Sequence, residues 1–110
     1  MATVDSTLFH ANWCGHCKTF MPEWEKFKKQ IENQGGSHNG VNITFHEYES
    51  STVDKDPSLG KINGKDLRGY PTIRITVSSG KKSIEYEYDG KRNVDELLNH
   101  IVGTASKKLK

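Results

Sequence analysis

The sequence predicts an α/β fold in which helices pack on a mixed four-stranded sheet. Three observations carry that expectation. An apolar stripe of helical period follows a short strand near the start of the chain. Two-residue alternation then recurs at three later places, and a second helical stripe closes the chain. The order is strand, helix, strand, a loop with a short helical turn, strand, strand, helix. A parallel strand–helix–strand unit followed by a hairpin and a covering helix requires a mixed sheet.

Thr7–Ala11 reads as the first strand, ended by Asn12. Phe20, Trp24, Phe27 and Ile31 then fall on one helical face, with Lys and Glu on the other. Pro22 is expected to bend this helix, since it removes a backbone donor and crowds the preceding turn. Gly35 and Gly36 stop it, and Gly35–Gly40 reads as a loop. Val41, Ile43 and Phe45 alternate with polar residues, so Asn42–Glu49 is expected to be half-buried, with Glu47 continuing the apolar face. Ser50–Gly69 is polar and punctuated by Pro57, Gly60 and Gly64. Ile73, Ile75 and Val77 form the next strand. Ser78–Lys81 is a turn, and Ile84, Tyr86 and Tyr88 mark the last strand. Asn93 is a candidate cap for the final helix, with Glu96 three residues on and Val94, Leu97, Leu98, Ile101 and Val102 on its buried face.

At 110 residues the chain has room for one domain, with a core spanning about residues 7–102 and a basic tail at 103–110. It carries 16 basic and 14 acidic residues, a net charge of +2, which does not describe a nucleic-acid binder. Lys107, Lys108 and Lys110 form the densest basic cluster and read as a solvated tail. No apolar run approaches the roughly 20 residues of a membrane span. Residues 1–6 lack the charged and apolar regions of a secretory signal. The expected setting is therefore the cytoplasm if the start is native, and the endoplasmic reticulum lumen if a leader was removed. A chain of this size with a native start in the cytoplasm fits one encoded by a large DNA virus. The expected state is a monomer.

The two cysteines, Cys14 and Cys17, stand three positions apart. A loop that short contributes little to stability, so their role is expected to be chemical. At i and i+3 on the first turn of a helix, two sulfurs come within bonding distance. The helix start supplies unpaired N–H groups and a partial positive charge, both favouring thiolate at Cys14. Between the cysteines stand Gly15 and His16, and His16 can add a donor or a charge beside the sulfur. Cys14 is the candidate nucleophile and Cys17 the resolving thiol: attack on a disulfide gives a mixed disulfide at Cys14, which Cys17 then displaces. Zinc needs about four ligands, but there is no second cysteine pair, and His38 and His46 are eight residues apart. Covalent haem attachment wants a histidine directly after the second cysteine, where Lys18 stands. No metal or other cofactor is implied. A redox-inert, peptide-binding or structural module remains the alternative reading of the pair.

The segment Trp13-Cys14-Gly15-His16-Cys17-Lys18 resembles the active site of the protein disulfide isomerase branch of the thioredoxins. Three further matches follow in order: Pro22, five residues after Cys17; Arg68-Gly-Tyr-Pro-Thr-Ile73; and Tyr88-Asp-Gly-Lys-Arg92 with Val94 and Leu97-Leu98. The resemblance covers about Leu8 to Val102. It implies a thioredoxin-like fold and a thiol–disulfide oxidoreductase acting on protein substrates, recycled by a redox partner of its own. It also implies a cis Pro71 beside the cysteine pair, with the Tyr70 backbone free to pair with an extended substrate and Trp13 on an apolar rim. Arg92 matches an arginine that approaches the site. The residues by themselves fit a trans Pro71, a core Trp13 and a solvated Arg92 as well.

Two departures from the family stand out. Only thirteen residues precede Cys14, so the family's first strand and helix are expected to be missing and Asn42–Glu49 to form a sheet edge. His46, Glu47 and Glu49 would blunt that edge. In addition, Leu8 occupies the place where the family has a buried acid, six residues before the first cysteine. Glu47 is the candidate replacement as proton acceptor for Cys17, with His10 a weaker one. An exposed edge glutamate is the plain alternative for Glu47. His16 favours a disulfide donor or shuffler over a reductase, because it stabilises the reduced, thiolate form.

Overall fold

The computed structural model describes residues 2–38 and 40–107, with the side chains of 102 and 104–107 outside the description. The elements in chain order are β1 (Thr3–His10), α1 (Gly15–Asn33), β2 (Ser37–His38), β3 (Val41–Glu49), α2 (Ser50–Lys55), a 3-10 helix (Pro57–Gly60), β4 (Thr72–Ser79), β5 (Lys82–Glu87) and α3 (Val94–Lys107). The strands form one mixed sheet in the order β2-β3-β1-β4-β5. β1 and β3 run parallel, with Leu8 opposite Glu47. The other pairings are antiparallel.

The α/β class and the mixed sheet are as the sequence predicts, but the sheet has five strands rather than four. The extra strand is Ser37–His38, inside the segment read as a loop. It pairs with Val41 and Asn42. Gly35 and Gly36 (φ 76° and 84°) turn the chain out of α1 in a conformation open to glycine, and Gly40 (φ 79°) lies between the paired segments. The edge position therefore belongs to β2, although two residues cover only the beginning of β3.

β1 starts four residues earlier than the apolar pattern indicates. It is central, with strands on both edges, and packing above and below the sheet buries both faces of its second half. Ser6 and Thr7 are 0% and 1% exposed, and the Ser6 hydroxyl has no hydrogen-bond partner among the described residues. Buried hydroxyls in a central strand hide it from a search for alternation. β3 falls where expected, while β4 runs on through Ser78 and Ser79, read as turn, and β5 ends at Glu87, one residue before Tyr88. The Asn93 side chain accepts from the Glu96 N–H at 2.9 Å, capping α3 as its sequence indicates. That helix runs on to Lys107, so residues 103–107 are helical rather than a tail. Lys108 and Lys110 lie outside the described residues, as does the side chain of Val102.

The two faces of the sheet are packed differently. On one, Phe20, Trp24, Phe27 and Ile31 of α1 and Leu97, Leu98 and Ile101 of α3 join Leu8, Ile43, Ile75 and Val77 in a single core. Complete burial of side chains of this size contributes about 1.5–3 kcal/mol each. On the other face, Tyr48 stacks on Phe9 at 5.8 Å, and the Arg74 guanidinium lies 5.1 Å from the centre of the Phe9 ring. Arg74 also donates to the carbonyls of Leu59 and Lys61 at 3.0 and 2.9 Å, tying the chain after α2 to the sheet. Among the described residues no helix is long and apolar enough to cross a membrane.

Candidate functional site

The chain leaves the C-terminal end of β1 at His10, and within four residues it enters α1. Cys14 makes that transition. Its backbone is extended (φ −92°, ψ 113°), and its own sulfur accepts the Cys17 N–H at 3.1 Å. The candidate nucleophile is thus the N-cap of the helix, in the role more often taken by a serine or aspartate oxygen. An N–H donor is aimed at the atom that becomes negative when Cys14 ionises. The Cys14 N–H itself donates to the Ala11 carbonyl at 3.1 Å, closing the turn.

Both cysteines are free thiols. Cys14 and Cys17 are 6% and 2% exposed, and with Ala11 they form a small apolar cluster against which Tyr70 packs. Burial pushes the Cys17 thiol up to about 11, and its hydrogen bond to Cys14 adds to the rise. The Ala11 backbone and the positive charge of Arg92 pull the other way and are outweighed. Cys17 is therefore protonated at neutral pH.

The other sequence candidates divide into those drawn to the thiols and those held elsewhere. The Tyr70–Pro71 bond is cis. The Cys14 thiol donates to the Tyr70 carbonyl at 3.5 Å, so this loop lies directly against the nucleophile. Trp13 is 73% exposed and meets the Tyr70 ring edge-on, with centroids 5.9 Å apart. It stands on the rim, not in the core. Gly15 and His16 are exposed, and nothing lies within 4 Å of where a Gly15 Cβ would sit, so the mouth between the cysteines is open. Arg92 donates from Nη2 to the Pro71 carbonyl at 3.5 Å, which brings its charge to the site.

Glu47 bonds to α1 and not to Cys17 among the described residues. It does continue the α1-facing side of β3, as the alternation indicates, but its carboxylate accepts from Trp24 Nε1 at 2.7 Å and Lys28 Nζ at 2.5 Å. Burial pushes this carboxyl up, yet the bonds from Lys28 and Trp24 outweigh that and hold it below its ordinary value. Among the described residues no hydrogen bond or charge interaction links it to either cysteine. His10 acts on Glu47, whose ionised form its charge favours.

The acid that does reach the site loop is Glu49, which sequence reasoning placed on an exposed edge. One of its oxygens accepts the Asn12 N–H at 3.2 Å, two residues before Cys14. The other accepts the Ser51 N–H at 2.8 Å and caps α2. Hydrogen bonds from Ser51, then Ser50, hold its carboxyl at about 2. The available signal was Glu49 followed by Ser50-Ser51, an acid at a helix start. Among the described residues no three His, Cys, Asp or Glu side chains are grouped closely enough to hold a metal ion.

Known proteins share this fold. The family model described as Thioredoxin matches residues 6–103. A probable protein disulfide-isomerase ER-60 of Schistosoma mansoni is 31% identical over 102 residues, covering 93% of this chain and 18% of that protein. A protein disulfide-isomerase of Hordeum vulgare is 33% identical over 105 residues, with coverage of 93% and 18%. The chain thus spans about a fifth of the length of these curated relatives. Among solved structures, the first thioredoxin domain of mouse protein disulfide-isomerase A4 superposes with a TM-score of 0.66 at 28% identity, covering 93% of this chain and 63% of that one. A crystal structure of ERdj5 matches with a TM-score of 0.71 at 16% identity over 94% of this chain and 12% of its own, a likeness of fold.

Proposed function

Because the chain belongs to the thioredoxin family, and resembles the thioredoxin domains of protein disulfide isomerases, it is at family level a thiol–disulfide oxidoreductase, and we propose that it works on protein substrates as a disulfide donor and shuffler through Cys14 and Cys17. The observation that carries this reading is the position of Cys14: its sulfur caps α1, lies under the Tyr70 carbonyl and opens onto the mouth at Gly15 and His16.

In the oxidising direction a substrate thiolate attacks the Cys14 sulfur of the Cys14–Cys17 disulfide. A substrate–Cys14 disulfide forms, and Cys17 leaves as thiolate and takes up a proton. A second substrate thiolate then attacks the substrate sulfur, forming the substrate disulfide and expelling Cys14. The substrate loses two electrons and the protein gains them. In shuffling, the Cys14 thiolate attacks a wrong substrate disulfide, and a different substrate thiolate later expels it, so no net electrons move. Trp13 and Tyr70 form the apolar rim over which the substrate lies, and the Tyr70 backbone beside Pro71 pairs with it. A protein partner of matched potential recycles the pair.

The test is the Cys14–Cys17 reduction potential, measured by equilibration with graded glutathione mixtures and thiol trapping. Isomerase-type sites lie near about −180 mV and thioredoxin near about −270 mV, a gap of roughly 4 kcal/mol for two electrons. A value near the first is expected. A value near the second makes the protein a reductase, and full biological function in a folded Cys14→Ser variant makes it a redox-inert module.

A further inference from the structure

A groove of about 290 Å³ opens beside Tyr70. Val53, Pro57, Leu67 and the Tyr70 ring form its apolar walls, and Asp54 and Asp66 supply its carboxylates. The two acids are not equivalent. Asp66 is paired with Lys61, whereas Asp54, exposed on α2, makes no hydrogen bond or ion pair among the described residues. Asp66 is shared with a second depression, which Lys65, Arg68, Tyr86 and Glu87 also line, whereas Asp54 lines the groove alone. The hydroxyl of Tyr70, which walls the groove, is pushed above its ordinary value by burial and then by the negative charges of Asp54 and Glu49. That wall is the same residue whose carbonyl receives the Cys14 thiol.

We infer that this groove is a side-chain subsite for the substrate polypeptide, receiving a lysine or arginine close to the reacting cysteine, with Asp54 as the residue that selects it. The inference rests on the proposed redox function. A long basic side chain matches both parts of the groove: its methylene stem covers Val53, Pro57 and Leu67, and its charged head reaches the unpaired carboxylate at the rim. A polypeptide lying along Tyr70 with its sulfur at Cys14 has the neighbouring groove within reach of a flanking side chain. The net charge of the whole chain, +2, opposes attraction of a basic segment. A preference for one is therefore a local property of the groove.

The experiment uses the reduced full chain and short peptides carrying one cysteine as a mixed disulfide with 2-mercaptoethanol, flanked by Lys, Ala or Glu. Bis(2-hydroxyethyl) disulfide is the uncharged reference. At low salt the unmodified protein should react about three- to fivefold faster with the Lys peptide than with the Glu peptide, the scale of one exposed charge pair. The ratio should fall at high salt. Asp54→Asn should bring it toward one and Asp54→Lys should invert it, while all three proteins reduce the reference equally. Equal rates on the Lys and Glu peptides, or a Lys preference that survives Asp54→Lys, overturn the subsite and leave the redox reading standing. Failure of the unmodified protein to reduce the reference disulfide overturns both.

Discussion

At the scale of the residue, the site turns on two thiols three positions apart that occupy unlike surroundings. Cys14 has the Cys17 N–H on its sulfur and an open mouth beside it, whereas Cys17 is closed in behind Ala11 and Cys14. Burial first, then the contact with Cys14, raises the Cys17 thiol from an ordinary 9.0 to about 11. Thiolate is the attacking species, so release of a mixed disulfide by Cys17 should accelerate about tenfold per pH unit and keep rising well beyond pH 9. Quenched-flow decay of a Cys14–glutathione adduct measures this, and a plateau below pH 9 contradicts it. The stability of the reduced form follows with the opposite sign. A thiol raised by folding leaves stability intact below the unfolded value and removes it as pH rises through the folded one. The sequence made the cysteine pair legible because i, i+3 spacing on a first turn is a local property. It could not show which acid approaches: Leu8 replaces the family's buried carboxyl, and the local signal at Glu49, an acid ahead of Ser50-Ser51, marks a helix start and not the approach to Asn12.

At the scale of the element, α1 is joined to β3 by an apolar surface and by one polar tie. Trp24 and Phe27 meet Phe45 edge-on at 5.8 and 5.2 Å, and one turn along, Glu47 bridges the Trp24 indole and Lys28. Trp24 is 0% exposed, so removing its acceptor strands a buried donor, a cost of about 1–3 kcal/mol. Glu47→Ala should therefore lower the melting temperature by about 5–15 °C, and Glu47→Gln, which retains an acceptor, by less. Because the Glu47 carboxyl is held below its ordinary 4.5, its contribution is present above that pH and is lost as pH falls through the folded value. The gap between the unmodified protein and Glu47→Ala should narrow in acid melts. Neither substitution should change the rate at which Cys17 resolves a mixed disulfide. A slowed resolution in Glu47→Gln would restore this residue as the proton acceptor. The alternation of β3 showed the face on which Glu47 lies, but not the neighbours waiting there. β2 was illegible for a related reason, since two polar residues between glycines carry no period.

At the scale of the whole molecule, the sheet has a thick side and a thin one. α1 and α3 cover the first in a continuous apolar core. On the second, α2 and the 3-10 helix are short, and Arg74 holds the chain that follows them through two carbonyls while lying over Phe9. Arg74→Ala should cost about 1–3 kcal/mol, through lost charged hydrogen bonds and the cation–π contact. Amide exchange should quicken at residues 53–69 more than in β1 or α1, and a uniform loss of protection contradicts this division. The sequence by itself determined the order of the elements other than β2, the class of fold, the cap at Asn93 and the i, i+3 placement of Cys14 and Cys17. Each of these rests on period, spacing or a neighbour a few positions away. Tertiary structure alone decided that β1 is buried on both faces, that β2 forms the edge, that Glu47 belongs to Trp24 and Lys28 while Glu49 reaches Asn12, and that Asp54 stands beside Tyr70. Glu47 lies 23 and 19 positions from Trp24 and Lys28, and Glu49 lies 37 from Asn12, so strand register and packing, which no local pattern encodes, select the partner of each charged side chain.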